Sequence, residues 1–556
     1  MLTVPDELVF VALGGLGEIG MNAALYGYGP PTRRKWVMID CGLGFAGPDL
    51  PGIDLVYADI GFVEKIRRDL VGLVITHAHE DHVGGIAALW PKLKCPVYGT
   101  RFAMSLLETR RLSEPGAPEV PLNVVEQGSR VALGPFDIEF VPVAHSIPES
   151  CALAIRTPAG TVVHSGDWKI DPQPGVGRPT DEARLRAIGA DGVLALVCDS
   201  TNIFREGISP SEGDVATTLA ALIADAPARV VVTLFASNVA RVRAVARAAA
   251  AAGREVIVVG RALERTAEVA RECGYLDDVP VFFSPERFKG VARDKVCVIA
   301  TGSQGEPRAA IARIAQGEHP AISLVSGDRV IFSSRTIPGN EREVGAAING
   351  LVMQGVEVVT DRDALVHCSG HPRRDEVARL YEWLRPKILV PAHGEAQHLA
   401  EHARFARAKG IEHVVGIRNG DVAVLGPGEP GIVDEVRTGR LLQDGNILTG
   451  AEDEAVRERR RLSFAGVISI AIAVSRQGDV VGDPDVVLSG LPKRDNSGAA
   501  MDALVDKAIF STLDSLPRAR RRDADTVSGA VERAVRAAVN QMWGKRPQVH
   551  VLVIEV

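Results

Sequence analysis

Seven consecutive residues, Thr76-His77-Ala78-His79-Glu80-Asp81-His82, constrain this chain more than any other stretch. Leu73-Val74-Ile75 precedes them and Val83-Gly84-Gly85 follows, so a buried strand runs straight into a tight loop. His77, His79, Asp81 and His82 place four metal-type side chains within six positions, in a chain that holds 13 histidines in 556 residues. Packing does not require such crowding. Imidazole and carboxylate suit zinc, and an H-x-H-x-D-H cluster can supply ligands to two adjacent ions. The missing ligands are expected far along the sequence.

The length allows two to four domains with ample core. Apolar residues make up 46% and charged residues 24%, the balance of a globular protein. No apolar run approaches the roughly 18 residues that span a bilayer. Met1-Leu2-Thr3-Val4-Pro5-Asp6-Glu7 lacks the basic and apolar segments of a secretory signal. The seven cysteines, from Cys41 to Cys368, are odd in number and form no C-x-x-C. They argue against a disulfide framework and a thiolate zinc site, and predict a reducing, cytoplasmic location. With a net charge of −7, a polyanion would have to be met by a local basic groove.

Further candidates stand at strand ends. Gly15, Gly17 and Gly20 follow the apolar run Leu8 to Leu13 as G-x-G-x-x-G, and Asp40 comes about 20 residues later, the spacing of a dinucleotide site. That fingerprint must open a helix, which Gly27, Gly29, Pro30 and Pro31 forbid. A glycine-rich hairpin is expected instead. Asp40 ends the strand Trp36 to Ile39, either as a turn cap or as an outer carboxylate that orients a ligand. His145 ends another apolar strand and offers a third imidazole. Asp167 lies in a strand-to-glycine turn, where a carboxylate can bridge two ions, and His164 reads as structural. Asp199 ends the strand Leu194 to Cys198. Short strands that repeatedly end in ligand-type residues predict a β-sandwich with outer helices and a metal site on its loops.

From about residue 210 to 360, strands such as Val230 to Phe235 and Val256 to Val259 alternate with helices, which predicts an inserted α/β domain with a mainly parallel sheet. The ligand pattern then returns in His367-Cys368-Ser369-Gly370-His371, ahead of a helix from about Arg374, and in Pro391-Ala392-His393-Gly394-Glu395. Histidine, serine and free backbone N–H groups at a helix start can hold a phosphate, although an ordinary capped turn uses the same residues. Gly426 to Gly431 and the charged run Glu452 to Arg461 read as a linker, and the last stretch as a small βα unit. Its Arg518, Arg520, Arg521 and Arg522 read first as a solvated loop and second as an RNA contact.

Together, His77, His79, Asp81, His82, His145, Asp167 and His393 resemble the ligand set of the metallo-β-lactamase superfamily. The late S-G-H and P-A-H-G-E around an inserted domain are similar to its β-CASP branch. G-G-L-G-E-I-G-M-N, V-A-H-S-I-P-E-S, H-S-G-D-W-K, D-S-T-N, F-A-S-N-V-A-R-V, T-G-S-Q-G-E-P, S-S-R-T-I-P-G-N-E and H-C-S-G-H resemble the bacterial ribonuclease J family over essentially the whole chain. The fold implied is α/β: a metallo-β-lactamase αββα sandwich (1–205 and 365–430), an inserted β-CASP α/β domain (206–364), a linker (431–462) and a small C-terminal α+β domain (463–556).

The same resemblance implies two zinc ions per subunit, with manganese as an alternative. His77, His79 and His145 would hold one, Asp81, His82 and His393 the other, and Asp167 would bridge them. A metal-activated hydroxide would attack the phosphodiester. Asp81, Asp199 and His371 would be catalytic, with His371 as general acid oriented by Asp199. Ser237, Asn238, His367, Cys368, Ser369, Gly370 and His371 would surround the 5′-phosphate. The implied substrate is single-stranded RNA, cut from 5′-monophosphate ends in the 5′-to-3′ direction and also endonucleolytically, in RNA maturation and decay. The implied partners are further copies of the chain, as a homodimer or homotetramer through the C-terminal domain, and an RNA-degradation complex. A small-molecule hydrolase and a non-catalytic RNA-binding subunit compete with this reading. The inserted domain with S-G-H speaks against the first, and the complete ligand set against the second.

Overall fold

Burial in strands Phe136–Pro142 and Cys151–Thr157 explains the central layers. Phe136, Ile138, Phe140, Leu153 and Ile155 enter one core, whereas Val141, Ala152 and Ala154 enter another. Side chains alternate along a strand, so strands apolar on both faces must lie between two layers. The structure, a computed structural model, describes residues 6–556; part of the reading of the amino terminus falls on residues 1–5, outside the described residues.

One sheet has eight strands in the order Gly431–Glu435, Asp421–Gly426, Glu7–Gly14, Ala23–Gly29, Lys35–Ile39, Leu70–Val74, Val97–Gly99 and Leu122–Val124. The other has seven: Arg130–Leu133, Phe136–Pro142, Cys151–Thr157, Gly160–His164, Ala195–Asp199, Ile388–Ala392 and His413–Val414. Leu8, Phe10, Tyr26, Val37 and Ile39 of the first meet Phe140, Leu153, Val197 and Val390 of the second. Helices Glu182–Asp191, Arg374–Leu384 and Ala396–Ala408 cover the outer face of the second through Leu185, Ile188, Val377, Leu380, Leu384 and Ala406. This is the two-sheet sandwich with outer helices that the strand pattern predicts. Strands Gly160–His164, Ala195–Asp199 and Ile388–Ala392 run parallel side by side, so their carboxyl ends open on one edge.

The inserted domain is a parallel sheet of five strands in the order Glu255–Val259, Val296–Ala300, Val230–Thr233, Arg329–Phe332 and Glu357–Val359. A buried ion pair braces it from within, and Arg241 of that pair also reaches across to Val366 at the start of the returning sandwich segment. Arg241 and Glu212 join through two Nη2 contacts of 2.9 and 3.0 Å, and Arg241 also donates to Ser333 Oγ (2.7 Å) and to the Val366 carbonyl (2.9 Å).

A second compact unit comprises Phe45–Val56 and Arg440–Val556. In it, the parallel pair Val467–Val474 and Gln548–Glu555 and the antiparallel strand Asp485–Ser489 carry helices Met501–Ser515 and Ala524–Trp543 on one face. The stretch 431–462, expected to link, is folded: strand Gly431–Glu435, hairpin Arg440–Asp444 with Ile447–Gly450, and helix Glu454–Ala465. Its charged run is the solvent side of that helix, where Val456 is buried. No helix among the described residues is long and apolar enough to cross a membrane.

Candidate metal centre and phosphate site

The His77–His82 loop leaves the strand Leu70–Val74 and is held from below by Asp40. Asp40 accepts from the Thr76 N–H and the Thr76 hydroxyl, both at 2.8 Å, and from His82 Nδ1 at 2.7 Å. Of the two roles open to Asp40, orienting a ligand is the one the structure displays. No helix follows Gly15, Gly17 and Gly20; the chain enters strand Ala23–Gly29, which rules out the dinucleotide geometry. Gly42 packs so closely behind the loop that a Cβ there would meet the Asp81 carbonyl oxygen at 1.7 Å.

Four histidines have their Nδ1 fixed by a neighbour, which turns Nε2 toward a common centre. His77 Nδ1 meets Thr76 Oγ1 (3.0 Å), His82 Nδ1 meets Asp40, His145 Nδ1 donates to the Gly370 carbonyl (2.7 Å), and His393 Nδ1 donates to Asn22 Oδ1 (2.9 Å). His79 enters by Nδ1, 3.1 Å from both His77 Nε2 and His145 Nε2. Asp167 Oδ2 lies 3.6 Å from His77 and from His145 and 3.4 Å from His82, and its Oδ1 lies 3.7 Å from His393. Asp81 Oδ2 is 3.5 Å from His82 and 4.0 Å from His393. His77, His79, His145 and Asp167 thus form one donor group and Asp81, His82, Asp167 and His393 another, each with donor atoms within 4.8 Å of one another.

The electrostatics fit a pair of cations. Burial, together with the neighbouring imidazoles, holds His77 and His145 well below the ordinary histidine value and brings His79 to about 4. These rings stay neutral with ring nitrogens converging at 3.1 Å, an arrangement that suits a cation between them. Burial opposes charge on Asp167 as well, yet the surrounding histidines hold its carboxyl well below the carboxylate range. Its Oδ1 is buried without a hydrogen-bond donor. Asn22, which binds both Asp81 and His393, was not singled out from sequence, although it closes the G-G-L-G-E-I-G-M-N motif.

Beside this centre, His371 donates from Nδ1 to Asp199 Oδ2 at 2.7 Å and stacks on His393 at 5.5 Å. Burial opposes its charge, but Asp199 and Asp167 push it up to about 9. Ser369 Oγ accepts from Asn202 Nδ2 (2.8 Å) and from the His371 N–H (3.2 Å), which leaves its proton for an acceptor. His367 Nδ1 is buried without a partner, and burial, then Arg241, brings it to about 3. Gly370 has no room for a side chain, since a Cβ would lie 2.6 Å from the His145 ring.

Three of the groups expected around the phosphate have other partners in the structure. Cys368 does not face this pocket: its buried Sγ lies 3.4 Å from Lys169 Nζ and 3.2 Å from Glu212 Oε1. Asn238 spends its side-chain oxygen as the cap of helix Val239–Ala251, accepting from the Arg241 N–H at 2.9 Å, next to a half-buried Ser237. The helix start after His371 offers few free donors, because the N–H groups of Arg373, Arg374 and Asp375 go to Glu376, Arg205 and Gly207. His164 is structural, its Nδ1 3.0 Å from the Tyr26 hydroxyl.

Family models match in the order of the folded parts: the metallo-beta-lactamase superfamily over residues 22–261, the ribonuclease J beta-CASP domain over 227–351, the Zn-dependent metallo-hydrolase RNA specificity domain over 355–415, and the ribonuclease J C-terminal domain over 454–556. Ribonuclease J of Sinorhizobium meliloti is 51% identical over 99% of this chain and 98% of its own length. The chain belongs to the ribonuclease J family. Ribonuclease J of Mycolicibacterium smegmatis is 38% identical over 99% and 98% of the two chains, and that of Mycobacterium tuberculosis 37% over 98% and 97%. A crystal structure of a protein of unknown function from Enterococcus faecalis shares the fold, with a TM-score of 0.52 at 15% identity over 75% of this chain and all of that one. As a ribonuclease J, the chain is a metal-dependent ribonuclease, and the RNA specificity domain spans Ser369, His371 and His393.

Proposed function

We propose that this ribonuclease works with two zinc ions on single-stranded RNA, removing nucleotides 5′ to 3′ from 5′-monophosphate ends and also cutting internally. The observation that carries this reading is the shared turn Ser369-Gly370-His371. Its carbonyl holds His145 of the donor cluster, its serine offers a hydroxyl proton, and its histidine sits over His393. A phosphate on Ser369 and the cation pair would therefore stand at a fixed spacing, which suits counting from an RNA end.

His77, His79 and His145 would hold one ion and Asp81, His82 and His393 the other, with Asp167 between them. Five imidazoles and two carboxylates suit zinc, and manganese is the alternative for a carboxylate-bridged pair. When bound, the ions supply an ionised water near neutral pH and positive charge against the phosphoryl oxygens. His371 keeps its Nδ1 proton on Asp199 and delivers the Nε2 proton to the departing 3′ oxygen. Ser369 donates to the terminal phosphate, beside His367 and the first turn of the helix that Asn238 caps. The seven free cysteines, six of them buried, support a reducing cytoplasm. The closing strand Gln548–Glu555 exposes Leu552 (62%) and Ile554 (47%) on a sheet edge, which supports self-association through the C-terminal domain.

The test is a 5′-labelled RNA, as monophosphate and triphosphate, incubated with and without chelator and with His77→Ala. Chelation and the substitution should each abolish cutting, and mononucleotides should appear first from the monophosphate. Cleavage that survives chelation would overturn the metal reading, and equal rates on both ends would overturn the end preference. Ser369→Ala should reduce end preference more than internal cutting, and equal loss of both would remove the phosphate pocket.

A further inference from the structure

We propose that Phe204, with the guanidinium groups of Arg205, Arg335 and Arg373, forms a platform that stacks one base of the RNA and holds its backbone beside the cation-binding cluster. The proposal rests on the RNA reading above and deepens it by naming a contact outside the cluster and the phosphate turn.

Phe204 is a large apolar side chain that the fold leaves 51% exposed, on a loop that is not loose. Ile203 before it is buried, and its carbonyl accepts from Arg374 Nε at 3.1 Å. Arg205 after it is half-buried, and its carbonyl accepts from the Arg374 N–H at 2.9 Å. Two residues earlier, Asn202 reaches Ser369 Oγ and the His371 carbonyl. The loop is thus fastened to the turn proposed to hold the phosphate. A rigidly presented aromatic ring is costly to leave in water and cheap to use for binding.

The inner edge of the ring meets His398 edge-on, with centroids 5.4 Å apart. His398 in turn packs against Gly394, the residue after His393: a Cβ on Gly394 would lie 2.9 Å from the His398 Cβ. The ring is thus linked through His398 and Gly394 to His393, and half of it stays exposed. Next to it, Arg205 lies in the field of Arg335 and Arg373. Its basicity is lowered by burial first and by these two cations next, with Asp361 as the opposing carboxylate. Among the described residues no carboxylate lies within ion-pair distance of the three guanidiniums; the nearby Glu206 is taken by Arg374 at 2.7 Å. Arginines without a carboxylate partner, on a chain of net charge −7, suit a polyanion, and the half-exposed Phe204 beside Arg205 in sequence suits a single strand, whose bases are free to stack.

The test uses the full-length, metal-loaded chain and a 5′-monophosphorylated single-stranded RNA in which one base at a time is removed. At one position the missing base should raise KM of the wild type roughly 5- to 150-fold, the range of a lost base–aromatic stack. Phe204→Ala should raise KM on intact RNA by a similar factor and erase the sensitivity at that one position, while Phe204→Trp restores both. Arg205→Ala and Arg335→Ala should each lower the salt slope of binding by about 0.7. If every abasic position affects the wild type and Phe204→Ala equally, the platform is overturned while the ribonuclease reading stands. If the wild type neither binds nor cuts the RNA, both fall. Because half of Phe204 is already in water and the abasic scan is first run on the wild type, misfolding of the variant cannot decide the outcome.

Discussion

Gly42→Ala tests whether the His77–His82 loop is built on a backbone contact that no side chain can share. The added Cβ would stand 1.7 Å from the Asp81 carbonyl oxygen, 2.2 Å from its carbon and 2.9 Å from the His82 nitrogen. All three are backbone atoms, so no rotamer relieves the clash. The loop must retreat by about 1.3 Å to reach even a tight 3.0 Å. It cannot do so freely, because Cys41 N–H to His82 O (2.7 Å), Gly42 N–H to Asn22 O (2.9 Å) and Asn22 N–H to Asp81 O (3.0 Å) stitch the two segments together. Metal coordination tolerates errors of only about 0.2 Å, so Asp81 and His82 cannot both keep an ion after that shift. A displacement of about 1 Å in a positioned group costs about 100-fold in rate, and the strain costs about 1–3 kcal/mol of stability. The assays are bound metal per chain after desalting, single-turnover cleavage of end-labelled RNA, and thermal unfolding. Gly345→Ala, in helix Glu341–Met353 where an added Cβ meets nothing within 4 Å, is the control and should leave metal content and rate unchanged. A Gly42→Ala protein with wild-type metal content and rate would refute the argument.

Asp40→Asn should keep the strand end, since Asn tolerates the positive φ of 60° there, but weaken the hold on His82. Metal affinity, read by chelator competition, should fall about 10- to 100-fold; an unchanged affinity would remove Asp40 from the site. Arg241→Met strands the buried Glu212 carboxylate and should cost about 3–5 kcal/mol in urea unfolding. Burial pushes Glu212 up, but Arg241 and Lys169 outweigh it and hold its carboxyl below the ordinary range. The pair therefore contributes fully above that range and loses its contribution as acidification protonates Glu212, so the gap between wild type and variant should narrow as the pH falls below about 4.5. A gap that widens would contradict the pairing. Leu552→Lys with Ile554→Lys should reduce the mass of any assembly measured by light scattering; an unchanged assembly would place the interface elsewhere.

The donor set was legible because chemistry crowded it: four ligand-type residues in six positions, then His145 and His393 at the ends of apolar strands and Asp167 in a strand-to-glycine turn. What escaped were contacts across the sheets. Asn22 is an ordinary polar residue until strand pairing places it between Asp81 and His393, and the role of Asp40 was undecidable until His82 pointed back at it. Cys368 was misplaced because neighbours along a turn face opposite ways; Ser369 turns to Asn202 while Cys368 turns into the Lys169, Glu212 and Arg241 ions. The charged run Glu452 to Arg461 looked like a linker because an amphipathic helix with a narrow buried stripe is mostly charge.

The pairing of Phe45–Val56 with Arg440–Val556 in one compact unit carries a consequence for the newborn chain. Leu50 and Ile53, buried in the finished fold, leave the ribosome about 380 residues before the segment that completes their unit, a wait of about 20–80 s at ordinary synthesis rates. During that interval the excursion hangs from Gly44, two residues beyond the glycine that backs the cation-binding loop, with its apolar side chains in water. A pause late in the message would lengthen the exposure of a segment encoded near its beginning.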